Sequence, residues 1–220
     1  MKNRKHTFLY TAKAGLPFII IGILFASALL ITEEFIIGFI SLFITLFLCR
    51  FFRDPQRSAG IISEGTIVSP ADGKIIYADF VENTKFYDGK CFKISIFMSI
   101  FNVHVNRAAC AGKVVKIEYN PGKFFKAHLD KASLENEYNA VFLQTESERS
   151  ICMVQIAGLV ARRIICYVKQ GANLDTSQRF GIICFGSRVD LYLPADTQIT
   201  SGALLGKKVS AGKTILGKLK

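Results

Sequence analysis

Two apolar runs stand back to back near the start of this chain: residues 16–31 are almost wholly apolar, Glu33 and Glu34 interrupt, and residues 35–49 are apolar again. A helix with no polar face has nothing to turn toward water, so such runs belong in a membrane or a large core. Each is shorter than the roughly 20 residues that span a bilayer comfortably, although flanking residues extend them. Lys2, Arg4, Lys5 and Lys13 precede the first run, Arg50, Arg53 and Arg57 follow the second, and the acidic pair lies between. By the positive-inside rule, residues 1–57 form a helical membrane hairpin with both ends, and the domain that follows, on the cytoplasmic face of the cell membrane. A hairpin that dips into one leaflet satisfies the same pattern. A cleavable signal peptide fits less well, because a second apolar run follows at once and no convincing small-residue cleavage site separates the two.

From residue 58 to residue 220 the pattern changes to short alternating or apolar runs separated by Gly, Pro and Asn. That is the pattern of strands and turns. Strands are expected at 66–68, 74–80, 91–98, 102–107, 112–119, 140–145, 151–156, 163–168, 181–185 and 188–193, with one short helix in a loop over 124–138. The expected fold is mainly β, a β-rich α+β single domain behind an N-terminal helical membrane hairpin; roughly 160 residues can bury a core of their own. A length of 220 residues, half of them hydrophobic, with a net charge of +11, excludes a disordered or fibrous chain. Cys49, Cys91, Cys110, Cys152, Cys166 and Cys184 include no Cys-x-x-Cys pair, and the chain has three histidines. A metal site is therefore not expected, and the cysteines read as reduced core residues. The excess of positive charge suits an anionic lipid surface. It would also suit nucleic acid, but no helix-turn-helix, zinc-finger or RNP-type signature is present, so no nucleic-acid partner is expected.

Residues 179–194 place Gly186-Ser187 between two strand-like stretches. A hairpin turn is the usual home of such a pair. The pair also has a chemistry of its own. A serine hydroxyl beside a strained peptide attacks the preceding carbonyl and moves the acyl group from nitrogen to oxygen, and glycine before it has no Cβ to obstruct the attack. If such a shift were followed by loss of the Ser187 α-proton, the ester oxygen would be expelled to leave dehydroalanine, which would hydrolyse to a pyruvoyl group and ammonia. Two other segments carry candidate partners. Ser69-Pro70-Ala71-Asp72-Gly73-Lys74 is a turn that displays Asp72, whose simplest role is to cap it. In Phe101-Asn102-Val103-His104-Val105-Asn106-Arg107, a strand would put His104 on one face with Asn102 and Asn106.

The string Phe185-Gly186-Ser187-Arg188-Val189-Asp190-Leu191-Tyr192-Leu193-Pro194, with the Asp72 and His104 segments before it in that order, resembles short-form phosphatidylserine decarboxylase proenzymes, a pyruvoyl-dependent family. The resemblance implies cleavage between Gly186 and Ser187 into residues 1–186 (the β chain) and 187–220 (the α chain), which stay together as a heterodimer. It implies a pyruvoyl group derived from Ser187, with no metal or external cofactor. That group would form a Schiff base with phosphatidylserine and release carbon dioxide to give phosphatidylethanolamine, a carboxy-lyase reaction of phospholipid biosynthesis. Asp72 and His104 are implied as the acid and base that help the Ser187 hydroxyl attack, and the same histidine as a group that could later protonate the decarboxylated carbon or position the substrate; Arg107 stands where long-form relatives have a second histidine, so His104 is assigned to the site without a single step. Asn120-Pro121-Gly122-Lys123-Phe124, His128 and Asn136-Glu137-Tyr138-Asn139 resemble the loop near the substrate, and Gln155-Ile156-Ala157-Gly158 with Ala161-Arg162-Arg163 resembles the next strand and turn. They suggest His128, Arg162 and Arg163 as substrate-binding residues, guanidinium groups being matched to a phosphate. Two alternatives stand beside this. A membrane adaptor with a lipoyl-like β domain also uses Pro-x-Asp-Gly turns and predicts one intact chain; a pyruvoyl decarboxylase of another amine-bearing substrate, such as archaetidylserine, predicts the same cleavage.

Overall fold

A computed structural model describes residues 11–57, 60, 63–122, 136–158, 163–184, 187–200 and 204–220. The chain divides into two compact units, Met1–Gln56 and Arg57–Lys220.

In the first unit a 3-10 turn, Lys13–Gly15, leads into helix α1 (Leu16–Ile31), and α2 (Phe35–Phe51) follows. Pro17 sits in the first turn of α1, where its missing N–H breaks no helical bond. Glu33, at φ 63°, makes the reversal, and the Glu34 N–H donates to the Leu29 carbonyl at 2.9 Å. Large apolar side chains point outward: Ile21, Leu24, Phe25, Ile36 and Phe43 are all more than half exposed. Small residues at Gly22 and Gly38 let the helices approach closely, beside buried Ile19 and Phe51. A Cβ on Gly22 would stand 2.5 Å from Thr45 Oγ1, and one on Gly38 would stand 2.8 Å from Leu30 Cδ2. The Thr45 hydroxyl is satisfied within its own helix by the Ser41 carbonyl at 2.8 Å. Small residues inside and large apolar residues outside reverse the rule for water-soluble packing and match helix pairing in lipid. With the 3-10 turn included, Lys13–Ile31 is 19 residues of mean hydropathy 2.5, long and apolar enough to cross a membrane by length and composition, whereas Phe35–Phe51 is shorter.

The second unit is β-rich, and its strands are numbered in chain order. The large sheet runs β13 (Lys208–Val209), β2 (Gly73–Thr84), β3 (Tyr87–Met98), β11 (Ser187–Pro194), β7 (Ser150–Ala157), β6 (Tyr138–Gln144), β5 (Gly112–Asn120) and β9 (Asn173–Leu174). A smaller sheet runs β4 (Val105–Arg107), β10 (Arg179–Cys184), β8 (Arg163–Cys166), and another β1 (Thr66–Val68), β14 (Ile215–Lys218), β12 (Gln198–Ile199). Neighbours are antiparallel throughout. Strand alternation sorts the core: Val189, Leu191 and Leu193 of β11 join Ile94, Ile96, Met98, Met153, Phe180 and Ile183. On the opposite face Tyr192 joins Phe86, Cys91, Tyr138, Cys152 and Val154.

Several elements differ from the sequence expectation. The β2–β3 hairpin runs on through polar residues to the Thr84–Tyr87 pair, because ladder bonds continue where the apolar pattern stops. The short strands β9, β12, β13 and β14 were not expected; two to four residues carry too little periodicity. Asn102 stands outside β4, its carboxamide oxygen accepting from Ser99 N at 2.9 Å and Ser99 Oγ at 2.8 Å, so it does not share a strand face with His104. The expected short helix lies, from 123 to 135, outside the described residues, and Tyr138 already belongs to β6. The strands flanking Gly186-Ser187 are not a hairpin: β10 and β11 lie in different sheets.

Candidate active site

Ser187 opens β11 and pairs with Met98 of β3 on one side and Ala157 of β7 on the other. One rung further in, Lys74 of β2 and Arg188 of β11 both pair with Phe97. Gly73 precedes Lys74 where a Cβ would stand 2.1 Å from the Phe97 carbonyl oxygen, a closeness only glycine permits. Asp72 therefore emerges at the end of the sheet that carries Ser187, two strand spacings away, about 10 Å between backbones. The segment around β4 is held over the same end. Arg107 N donates to the Pro70 carbonyl at 2.9 Å, Ile183 N donates to the His104 carbonyl at 3.3 Å, and β4 pairs with β10, which ends three residues before Ser187.

Ser187 is fully buried, and its Oγ has no hydrogen-bond partner among the described residues. Leaving a buried hydroxyl unpaired costs about 1–3 kcal/mol, so Ser187 Oγ adds nothing to stability as it stands. His104 is also fully buried, with Nδ1 3.0 Å from the Asn102 carbonyl oxygen. With the Nδ1 proton on that carbonyl, the neutral ring carries its lone pair on Nε2, the form of a base. The Asp72 carboxylate receives both prongs of Arg57, Nη2 donating to Oδ2 at 2.8 Å and Nη1 to Oδ1. Ala211 N also donates to Asp72 Oδ1, at 2.8 Å, and the Ala211 carbonyl accepts from Arg57 Nη1 at 3.1 Å. The resemblance implies Asp72 and His104 as acid and base beside Ser187; the described contacts tie Asp72 to Arg57 and Ala211 and place His104 Nδ1 beside the Asn102 carbonyl. Arg57, counted in the sequence as flanking charge of the hairpin, is the site residue that sequence reasoning missed.

A model of the phosphatidylserine decarboxylase family matches residues 44–217, a span that holds Asp72, His104 and Ser187. The chain belongs to the phosphatidylserine decarboxylase family. It is 45% identical over 209 residues to the phosphatidylserine decarboxylase proenzyme of Syntrophus aciditrophicus, covering 94% of this chain and 97% of that one. With the proenzyme of Desulfotalea psychrophila identity is 45% over 208 residues, covering 94% and 96%. With that of Aromatoleum aromaticum it is 46% over 221 residues, covering 99% and 98%, hairpin included.

Of the other residues assigned by likeness to the decarboxylase family, Gly186, His128 and Arg162 lie outside the described residues. Arg163 opens β8, exposed, opposite Cys184 at the end of β10. Burial pushes the Cys184 thiol up, with the Arg163 charge opposing. Behind Ser187, on the other face of β11, lies a charged group. Arg188 donates from Nε to Asp190 Oδ1 and from Nη2 to Oδ2, both at 2.7 Å, and Lys93 Nζ stands 3.2 Å from Oδ2. Burial pushes the Asp190 carboxyl up, but the Arg188 charge, its hydrogen bonds and Lys93 outweigh that and hold it below the ordinary value.

Proposed function

We propose that this member of the phosphatidylserine decarboxylase family matures by cutting its own chain between Gly186 and Ser187, and then converts phosphatidylserine to phosphatidylethanolamine and carbon dioxide at a membrane. The observation that carries the reading is the Ser187 hydroxyl, wholly buried and without a partner among the described residues, with His104, likewise wholly buried, held to β10 by the bond from Ile183 N. His104 Nε2 takes the hydroxyl proton as Oγ bonds to the Gly186 carbonyl carbon. The carbon–nitrogen bond breaks, and the proton passes to the nitrogen. Removal of the Ser187 α-proton breaks the Cβ–Oγ bond and releases the new Gly186 carboxylate; water then displaces ammonia and leaves the pyruvoyl group on residue 187.

The surroundings of Ser187 fit that product. Strand β11 is paired on both sides, by β3 and β7, so its first residue keeps its place once the chain is open. Residues 187–220 also supply β13 beside β2 and β14 beside β1, which holds the two pieces together as a heterodimer. The pyruvoyl group supplies a ketone that takes up the substrate amine and draws electrons from the departing carboxylate. The chain's own residues do the rest: Asp72, clamped by Arg57, fixes the turn beside the site. Arg163, with His128 and Arg162, takes the lipid phosphate and head group. The outward apolar faces of α1 and α2 anchor the chain in the cell membrane with the catalytic domain on the cytoplasmic side.

Intact-mass analysis of the purified protein tests this. Two pieces, residues 1–186 and a ketone-blocked 187–220, are expected, and Ser187→Ala is expected to remain one inactive chain. An active preparation made only of uncut chain would sink the proposal.

A further inference from the structure

The turn after β3 holds apolar side chains out into solvent. Asn102 N donates to the Ser99 carbonyl at 3.0 Å, and the Asn102 carboxamide oxygen accepts from Ser99 N at 2.9 Å and Ser99 Oγ at 2.8 Å, so the turn is closed from both sides. Its tip is Ile100, 40% exposed, and Phe101, 63% exposed. Gly, Asn, Asp or Ser is the usual choice there. Single exposed apolar residues are ordinary, so the surroundings of the tip decide what it means. Met98, just before the turn, pairs with Ser187, and one rung back Phe97, Lys74 and Lys208 stand side by side on β3, β2 and β13. Lys74 and Lys208 are exposed, as are Lys207 before β13 and Arg163 at the start of β8. The carboxylates near this end, Asp72, Glu137 and Asp190, are all buried. The far end differs. Strand β7 runs from Ala157, beside Ser187, back to Ser150, about 23 Å away. There the turn over 145–149 carries exposed Glu146 and Glu148, Asp196 is paired with Arg149, and the β2–β3 tip balances Glu82 and Asp88 against Lys85 and Lys90. Among the described residues, exposed charge is thus cationic at the Ser187 end and neutral to acidic at the other.

We propose that the Ser187 end of the large sheet rests on an anionic lipid surface, with Ile100 and Phe101 entering the acyl layer beneath the head groups and Lys74, Lys207 and Lys208 lying among the lipid phosphates. An apolar tip beside lysines suits that boundary, where the one leaves water and the others meet negative charge. A second copy of the chain would cover the tip too, but a two-fold contact sets a patch against itself and would bring the lysines together. The acidic far end turns away from the negative leaflet, which gives the domain one orientation on it. The inference rests on the reading of phosphatidylserine as substrate and adds how it is reached. The lipid offers its head group to the end of the sheet where residue 187 lies, while its acyl chains stay in the bilayer.

The chain contains no Trp, so a single introduced indole reports on its own surroundings. Phe101→Trp is made in the full-length Ser187→Ala chain and placed in vesicles of phosphatidylcholine with or without phosphatidylglycerol, an anionic lipid that has no amine to react. Bromine on the acyl chains quenches an indole that reaches it. The emission at Phe101→Trp is expected to shift to the blue and be quenched, more strongly with phosphatidylglycerol than without, and the difference should shrink in salt. Ser147→Trp, on the far turn, should stay unquenched. Ile100→Trp repeats the measurement at the neighbouring tip position, so it does not hang on one substitution. Lys74→Glu combined with Lys208→Glu should abolish the dependence on phosphatidylglycerol. In the parent chain the same pair should lower kcat/KM for phosphatidylserine in bilayers about tenfold and leave the rate on a soluble short-chain phosphatidylserine unchanged. Indoles at 100 and 101 quenched no more than one at 147 overturn the inference. So does an indole that shifts to the blue without quenching, since protein and not lipid would then cover the turn. A wild-type chain that stays uncut or inactive counts against the proposed function alone, because the quenching is read in a chain that needs neither cleavage nor turnover.

Discussion

The two faces of β11 are equally buried but hold different kinds of polarity. Toward the main core, Ser187, His104, Asn106, Gln155 and Asn139 present hydroxyl, imidazole and carboxamide groups. On the reverse, Arg188, Asp190 and Lys93 form a compact ionic cluster. Neutral groups can be left short of a partner at a cost of a few kcal/mol, whereas a buried charge cannot, so a reactive hydroxyl is tolerable only on the uncharged face. The charged face does the opposite work: it nails down the strand whose first residue is the proposed reactive centre. One strand thus carries the proposed reaction side and an ionic side, and substitutions on the two should fail in different ways.

The largest difference is expected between His104→Ala and Asp190→Asn. Losing the base should slow self-cleavage by about 10²- to 10⁴-fold while changing the thermal midpoint of the uncut chain little. Losing the carboxylate shared by Arg188 and Lys93 should cost about 3 kcal/mol of stability. Denaturation in a Ser187→Ala background, beside cleavage rates in the parent chain, separates them. If His104→Ala unfolds the domain as readily as Asp190→Asn does and still cleaves, the division between the faces is wrong.

Arg57→Ala is the next in size. Its guanidinium and the Asp72 carboxylate are each only about a tenth exposed, and the pair also engages both polar groups of the Ala211 backbone. Removal is expected to cost about 2 kcal/mol, the scale of charge-assisted hydrogen bonds, and to loosen the turn before Gly73. Arg57→Lys should recover part of the stability but not the two-pronged geometry. A cleavage rate unchanged in Arg57→Ala would remove Asp72 and its clamp from the processing machinery.

How much of this was legible in the sequence depends on how local each signal is. The hairpin was, because the apolar runs and the acidic break between them are contiguous. So were strands marked by short apolar runs between turn residues, such as 66–68 and 151–156. The polar continuation of β2 and β3 was not, since ladder bonds between backbones leave no mark on side-chain pattern. In the candidate site, Ser187 and His104 carried their own chemistry and could be proposed from the sequence. Arg57 could not: its charge read as a membrane flank, and only folding brings it to a carboxylate 15 positions on. The hydrogen bonds that run from Asn139 through Gln155 to Asn106 cross three strands, and nothing in the sequence gives their direction; that follows from which amide oxygen is already occupied.

The smallest expected effect is an acid limb on stability that belongs to the charged face. The Asp190 carboxyl is held below its ordinary value of 3.8 in the folded chain. Its contribution is therefore complete above that value and is lost as pH falls toward the folded value, because the unfolded chain then binds the proton first. Glu118 titrates in the same direction, held at about 2 chiefly by hydrogen bonds from Lys116 and Tyr138. Its side chain is 27% exposed, so water and salt weaken its share, and Asp190, fully buried, should dominate. Urea midpoints of the Ser187→Ala chain should stay level above about pH 5 and decline below about pH 4, and Asp190→Asn should flatten most of that decline. A decline of the same steepness in Asp190→Asn would place the acid sensitivity elsewhere. The charged face would then lose its claim to anchor the strand, leaving the neutral face to account for both the stability and the chemistry of β11.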